Sequence, residues 1–194
     1  ALLQDYEPGV TAAELDAMFG ALRPRLIALR EKVLGAAGDA PRLAGDFDVA
    51  AQMALTADLA RVFGYEFEHG RIDTAVHPFA SGSGLDVRIT TRTDPADPLG
   101  AIYSTIHEVG HAAYEQGIDR DYLLTPLGSG VSMGVHESQS RIYENQIGRS
   151  VAFTGWLYGR MRDSFGEIGV DGPEAFGRAV NRVETGFIRT EADE

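Results

Sequence analysis

Two histidines and a glutamate stand at a spacing typical of a metal site. The segment His107-Glu108-Val109-Gly110-His111 matches the pattern H-E-x-x-H. Residues four apart lie one above the other on a helix, so the imidazoles of His107 and His111 can bind the same divalent metal ion. Glu108 is rotated by about 100° from them and lies beside the ion, where it can accept a proton from metal-bound water. The spacing therefore predicts a hydrolytic metal site with Glu108 as general base.

The surroundings of this motif favour a metal site over a solvated helix face. Apolar residues, among them Ile102, Ile106 and Ala112, flank it on both sides. The alternative interpretation is a helix whose two histidines face solvent or a satisfied polar core. Burying two histidines and a glutamate without a metal or other partners would be costly, so we prefer the metal interpretation.

The third ligand separates the classes of metallopeptidase. A metzincin needs glycine at position 114 and histidine at position 117, where this chain has tyrosine and glycine. The remaining common ligand is a glutamate from a second helix. We prefer Glu137, because its neighbour His136 and the following Arg141 would give the carboxylate polar support. Glu144, nearly two turns further along the same helix face, is the alternative ligand.

Two predicted helices must position these ligands. Asp97-Pro98 is a typical helix start, with a capping side chain followed by proline, and it predicts a helix over residues 98–116 that carries both histidines. A loop follows over residues 118–130. The next helix is predicted over residues 134–165, with Glu137 near its beginning.

The remaining elements complete a mainly helical fold. Residues 85–92 alternate apolar and polar side chains and are rich in β-branched residues, which predicts a strand in a small antiparallel sheet within residues 65–92. Further helices are predicted over residues 11–33, between Asp46 and Gly64, and over residues 173–185. We therefore expect one domain, residues 1–194, of a mainly α class with a small antiparallel β-sheet. This is a zincin-like arrangement in which a gluzincin-type helix pair carries the metal.

Composition excludes several other classes of protein. The 194 residues include 44% apolar and 24% charged side chains, which is typical of a globular domain. The chain has no cysteine, so disulfides, cysteine nucleophiles and thiolate metal sites are excluded. A net charge of −12 without a basic cluster argues against nucleic acid as a partner. With no membrane-length apolar run and no signal-like opening, we expect a cytoplasmic chain without a membrane partner.

Several short motifs, taken together, resemble the Taq-type metallocarboxypeptidases, also called thermostable carboxypeptidases. Besides H-E-x-x-H, these motifs are His136-Glu137-Ser138-Gln139, His77-Pro78-Phe79, Asp86-Val87-Arg88-Ile89-Thr90, Ile188-Arg189-Thr190-Glu191-Ala192-Asp193 and the opening Gln4-Asp5-Tyr6-Glu7-Pro8-Gly9.

The resemblance implies a divalent-metal enzyme, with zinc expected and cobalt as the alternative. Such an enzyme removes single residues from peptides that have a free C-terminus. The family's chains are longer and usually form homodimers. The chain starts with Ala1, not methionine, and we expect it to be the central, metal-bearing fragment of such a protein.

The same resemblance suggests two arginines for recognising the substrate carboxylate. Arg88 and Arg189 lie on motifs that contain no metal ligand, and the guanidinium fork matches a carboxylate. The alternative for each is a structural ion pair, Arg88 with Asp86 and Arg189 with Glu191.

Two further histidines are expected to support the metal site. His136 is expected to stabilise a developing oxyanion or to orient Glu137, with plain packing as the alternative. His77 precedes a proline and is expected to anchor a loop under the site.

Two alternatives to a carboxypeptidase stay open. The metal motif alone also fits a metalloendopeptidase. A third hypothesis is a folded metal-binding fragment that lacks turnover.

Overall fold

A computed structural model of the protein describes residues 2–36, 38 and 40–183. Its helices are α1 (Ala12–Ala36), α2 (Val49–Val62), α3 (Pro98–Gln116), α4 (Met133–Arg141), α5 (Val151–Phe165) and α6 (Pro173–Val180). Its strands are β1 (Ile72–Thr74), β2 (Ala80–Ser83) and β3 (Asp86–Thr91). The predicted mainly helical fold with one small sheet is confirmed.

Helix α3 is the central element, and its bounds match the prediction. The Asp97 side chain accepts a hydrogen bond from the backbone N–H of Leu99, and Pro98 occupies the first turn. Helix α2, the sheet and α4 all pack against α3. Ten of its nineteen residues are buried as a result, including Glu108. A helix enclosed in this way holds its polar side chains in fixed positions.

Two apolar clusters fix α3 in place. The larger cluster joins α2, α3, α5 and α6 and contains Phe47, Leu55, Leu59, Ile102, Ile106, Leu157, Met161, Ile168 and Phe176. The smaller cluster joins α3 to the sheet and contains Ala60, Tyr65, Val87, Ile89, Val109 and Ala112. Burying each large aliphatic side chain contributes about 1.5–3 kcal/mol. The face of α3 left for the histidines is the one that meets α4.

The sheet is mixed, whereas a purely antiparallel sheet was predicted. Its strand order is β1-β3-β2. Strands β2 and β3 form the expected antiparallel hairpin, with Ser81 opposite Arg88. Strand β1 runs parallel to β3, with Ile72 opposite Ile89. The chain reverses once between β1 and β2 and again at the hairpin, so β3 regains the direction of β1.

The helix predicted over residues 134–165 is interrupted. Helix α4 continues into a π-helix over Ile142–Ile147, and α5 begins only at Val151. The Tyr103 hydroxyl of α3 donates a 2.7 Å hydrogen bond to the carbonyl of Gly148, which ties the break to the core. The Ser150 side chain then caps α5. A π-helical turn inside a helix often marks a functional site, and this one contains Glu144.

At the two ends of the described chain, one predicted helix is confirmed and the other is shorter than predicted. Helix α1 forms but buries none of its residues. Helix α6 ends at Val180 rather than near residue 185. Arg189 and its motif lie outside the described residues. No helix in the described part of the chain is long and apolar enough to cross a membrane.

Candidate metal centre

Helices α3 and α4 touch backbone to backbone at Gly110. An ideal Cβ built on Gly110 would lie 2.5 Å from the Cα of Ser140, closer than real side-chain contacts. The Gln139 amide donates a 3.1 Å hydrogen bond to the Gly110 carbonyl and links the two helices further. This close approach brings Glu137, almost one turn before Ser140, to the face of α3 that carries the histidines.

The donor atoms of three residues converge there. Glu137 Oε2 lies 3.2 Å from His111 Nε2 and 3.6 Å from His107 Nε2. One ligand atom from each of the three residues lies within 4.8 Å of the others. Two imidazole nitrogens and one carboxylate oxygen are the donor set of catalytic zinc sites, which keep a further position open. The residues present therefore fit a divalent metal ion.

Glu144, the alternative third ligand, lies at the opposite nitrogen of a histidine. Its Oε2 is 2.9 Å from His107 Nδ1, whereas Glu137 faces His107 Nε2. The π-helix carries Glu144 to this position. The geometry thus places Glu137 at the point where the Nε2 atoms meet and Glu144 outside it.

His136 was predicted to stabilise an oxyanion or to orient Glu137, and among the described residues its hydrogen bonds join it to His111 and Glu115. Its Nδ1 lies 2.6 Å from His111 Nδ1, and its Nε2 lies 2.8 Å from Glu115 Oε1. The ring also packs against Tyr114, with 4.6 Å between centroids. Glu115 was not among the site residues predicted from the sequence. The available signal was its position four residues after His111, which places both on one helix face.

Arginines balance the charge of both site glutamates. Arg141 donates to Glu137 Oε1 at 2.8 Å and to Glu144 Oε2 at 2.9 Å. Arg149 lies 3.6 Å from Glu144 Oε1. Burial by itself would raise the pKa of each carboxyl, but His107 and these arginines outweigh it and hold the pKa of Glu137 and of Glu144 below the ordinary value. Both side chains are therefore carboxylates at neutral pH.

His111 is held in its neutral form. Burial, followed by the nearby His107 and His136, disfavours a positive charge and lowers the pKa of His111 to about 4. Neutral imidazole is the form that binds a metal ion. At neutral pH this side chain is therefore ready for coordination.

The convergent atoms lie in the wall of a cavity of about 780 Å³. Glu108 lines the same cavity and is only 7% exposed. His77 lines it from the segment between β1 and β2, and Arg141 lines it from α4. A carboxylate is thus available beside the predicted metal ligands, in a space large enough for a small ligand.

The structure does not bring Arg88 to this cavity. Arg88 is absent from the described residues that line it, and it forms a bidentate ion pair with Asp86 at 2.8 and 2.9 Å. This pair is the structural alternative considered for Arg88. Arg189 lies beyond the described residues, so its position stays a prediction.

Comparisons with known proteins agree with the resemblance noted in the sequence. Residues 1–194 match the family model for carboxypeptidase Taq (M32) metallopeptidases. The chain is 44% identical over 198 residues to thermostable carboxypeptidase 1 of Thermus thermophilus, covering all of this chain and 39% of that protein. It is 43% identical over 202 residues to carboxypeptidase 1 of Bacillus subtilis, covering all of this chain and 40% of that protein.

A solved structure shows the same fold. The crystal structure of the M32 carboxypeptidase from Deinococcus radiodurans superposes with a TM-score of 0.80 at 43% identity, covering 92% of this chain and 36% of that one. The chain thus spans about two fifths of the length of the curated relatives it matches. Sequence motifs, fold and family model agree, and the chain belongs to the carboxypeptidase Taq (M32) metallopeptidase family.

Proposed function

We propose that this chain carries the catalytic centre of a metal-dependent carboxypeptidase, with His107, His111 and Glu137 as ligands and Glu108 as general base. The observation that carries the proposal is the convergence of both Nε2 atoms on Glu137 Oε2, in the wall of a cavity that Glu108 also lines. The reaction is hydrolysis of the C-terminal peptide bond of a peptide with a free carboxylate.

The ligand set supports zinc as the resident ion, with cobalt as the alternative. When bound, the ion would polarise the scissile carbonyl and make a water molecule acidic enough to attack it. The chain prepares for this in two ways. Burial keeps His111 neutral, and Arg141 helps to keep Glu137 ionised. Both ligands are in their binding form before the ion arrives.

Glu108 is proposed to move the proton. It follows His107 directly on α3, so its carboxylate lies beside the two imidazoles and not beneath them. It accepts the proton of the attacking water and then delivers it to the leaving amine. The enclosed position of Glu108 limits exchange of that proton with bulk water.

Recognition of the substrate carboxylate requires a cation near the cavity. Arg189 keeps the role predicted for it from its motif. Arg88 would have to exchange its ion pair with Asp86 for the substrate. The homodimer and the cytoplasmic location also stay predictions, for the longer protein and for this chain respectively.

An N-blocked dipeptide with a free carboxylate, and the same peptide with an amidated C-terminus, test the proposal. We expect the zinc-loaded longer protein that contains this centre to hydrolyse the first peptide and not the second. Cleavage of both peptides would favour the metalloendopeptidase alternative. Stoichiometric zinc with no cleavage of either peptide would favour the non-catalytic metal-binding alternative. Glu108→Gln is the control, because it should bind zinc and lose at least about 100-fold in turnover.

A further inference from the structure

We propose that each histidine ligand is oriented by a carboxylate outside the metal site: Glu144 acts directly on His107, and Glu115 acts on His111 through His136. These are positioning residues, since they act on the ligands and would not touch the ion; Glu115 also lines the cavity. The inference rests on the proposed function, because it assumes that both histidines bind the ion through Nε2.

The contact between Glu144 and His107 fixes one tautomer. The carboxylate of Glu144 can only accept, so the 2.9 Å contact requires the proton of His107 on Nδ1. The Nε2 lone pair then points toward Glu137. The two side chains are only 14% and 15% exposed, so water competes little for the bond. A partly buried hydrogen bond to a charged acceptor is among the stronger kinds.

Glu144 is itself held in place from two sides. Arg141 donates to Glu144 Oε2, and Arg149 lies near Oε1. The guanidinium of Arg149 stacks over the ring of Tyr103 at 4.1 Å and donates a 2.6 Å hydrogen bond to the carbonyl of Val180. Glu144 therefore cannot turn away from His107 without breaking several contacts that reach into the helical core.

His111 is linked to Glu115 by two hydrogen bonds in series, with His136 between them. If Nε2 of His111 binds the ion, as the proposed function assumes, its proton lies on Nδ1 and is donated across 2.6 Å to Nδ1 of His136. His136 then carries its own proton on Nε2 and donates it across 2.8 Å to Glu115. One assignment of protons satisfies both bonds with neutral imidazoles. Stacking of His136 on Tyr114 holds the intervening ring.

The hydrogen bonds made by Nδ1 of His107 and Nδ1 of His111 both affect how tightly the site binds its metal ion. A hydrogen bond from the distal nitrogen fixes the ring plane and makes the coordinating nitrogen more basic. Removing such a partner costs about 10- to 100-fold in metal affinity. The two carboxylates lie on different elements, Glu144 on the π-helix and Glu115 on α3, so each can be removed separately.

Four variants of this chain test the inference. Glu144→Leu and Glu115→Leu remove both the acceptor and its charge, whereas Glu144→Gln and Glu115→Gln keep an acceptor oxygen. Glu66→Gln is the matched control, because Glu66 lies 3.9 Å from His69, which is no predicted ligand. The measurements are zinc affinity by chelator competition, the visible spectrum of the cobalt-loaded chain, and far-UV circular dichroism.

We expect zinc affinity to fall about 10- to 100-fold in the leucine variants, less in the glutamine variants, and not in the control. The cobalt spectrum should change with it while the helix content stays constant. If a leucine variant does not fold, the zinc affinity and cobalt spectrum of the corresponding glutamine variant test the inference instead. Affinities and spectra equal to those of the unsubstituted chain would overturn the inference alone. No metal binding by the unsubstituted chain would instead refute the proposed function, and the inference with it.

Discussion

Replacing Gly110 by alanine tests whether the close approach of α3 and α4 assembles the metal site. The added methyl would lie 2.5 Å from Ser140 Cα, 3.0 Å from its backbone nitrogen and 3.2 Å from its Cβ. The first two are backbone atoms, so no side chain can rotate out of the way. Ser140 is fully buried, so α4 cannot give way locally. The helices have to separate.

The size of the separation follows from the contact distances. Ordinary contact of a Cβ begins at 3.4 Å, so α4 must move by about 1 Å relative to α3. Ligand positions in a metal site tolerate only about 0.2 Å. Glu137 moves with α4 and would leave both histidines behind. Overpacking costs about 1–3 kcal/mol, against which the higher helix propensity of alanine returns about 1 kcal/mol. We therefore expect a modest loss of stability and a large loss of zinc affinity.

Chelator competition and urea unfolding measure the two effects on the same sample. Gly159→Ala in α5 is the matched control, because among the described residues no atom beyond its chain neighbours and its own helix backbone lies within 4 Å of the added Cβ, and its φ is not positive. This control should gain up to about 1 kcal/mol in stability and keep its zinc affinity. A Gly110→Ala chain that binds zinc as tightly as the unsubstituted chain would refute the reasoning, since the site would then not depend on direct contact between the helices.

Three further outcomes follow from the structure. His107→Ala should abolish tight zinc binding in the same chelator assay, because two remaining ligands hold the ion poorly. Phe176→Ala should lower the free energy of unfolding in urea by about 3–5 kcal/mol, because the ring is fully buried. Burial raises the pKa of Tyr65 to about 12 from 10.0, so its protonated form stabilises the fold below pH 10 and this contribution is lost as pH rises toward 12. In Tyr65→Phe, urea unfolding between pH 9 and 11.5 should show a shallower decline; an equal decline would contradict the assignment.

Local signals determined the elements that the sequence predicted well. Asp97 and Pro98 set the start of α3 through a capping bond and a fixed φ, both of which act within one turn. The alternation of residues 85–92 marks β3 because one face of the strand is buried by Val87 and Ile89. The four-residue spacing of His107 and His111 places both on one helix face whatever surrounds the helix.

The contacts of the site histidines with Glu115 and Glu144 could not be predicted from the sequence, because they join elements that only the fold brings together. His136 and Glu115 are 21 residues apart, and His107 and Glu144 are 37 apart, so no local pattern pairs them. The π-helix that delivers Glu144 also follows from tertiary packing, since Tyr103 of α3 binds the chain at Gly148, where it ends.

Packing between elements also decided which glutamate lies at the metal site and how the strands pair. Both glutamates were candidate ligands because they share a helix face, and only the contact of Gly110 with Ser140 brings the first to the Nε2 atoms. Strand β1 pairs with β3 in parallel because the chain reverses twice between them. The residue pattern of β3 does not indicate which strand lies beside it. Spacing along one element determined which groups could do the chemistry, whereas packing between elements decided which of them meet, because side-chain distances across helices are set by backbone contacts far apart in sequence.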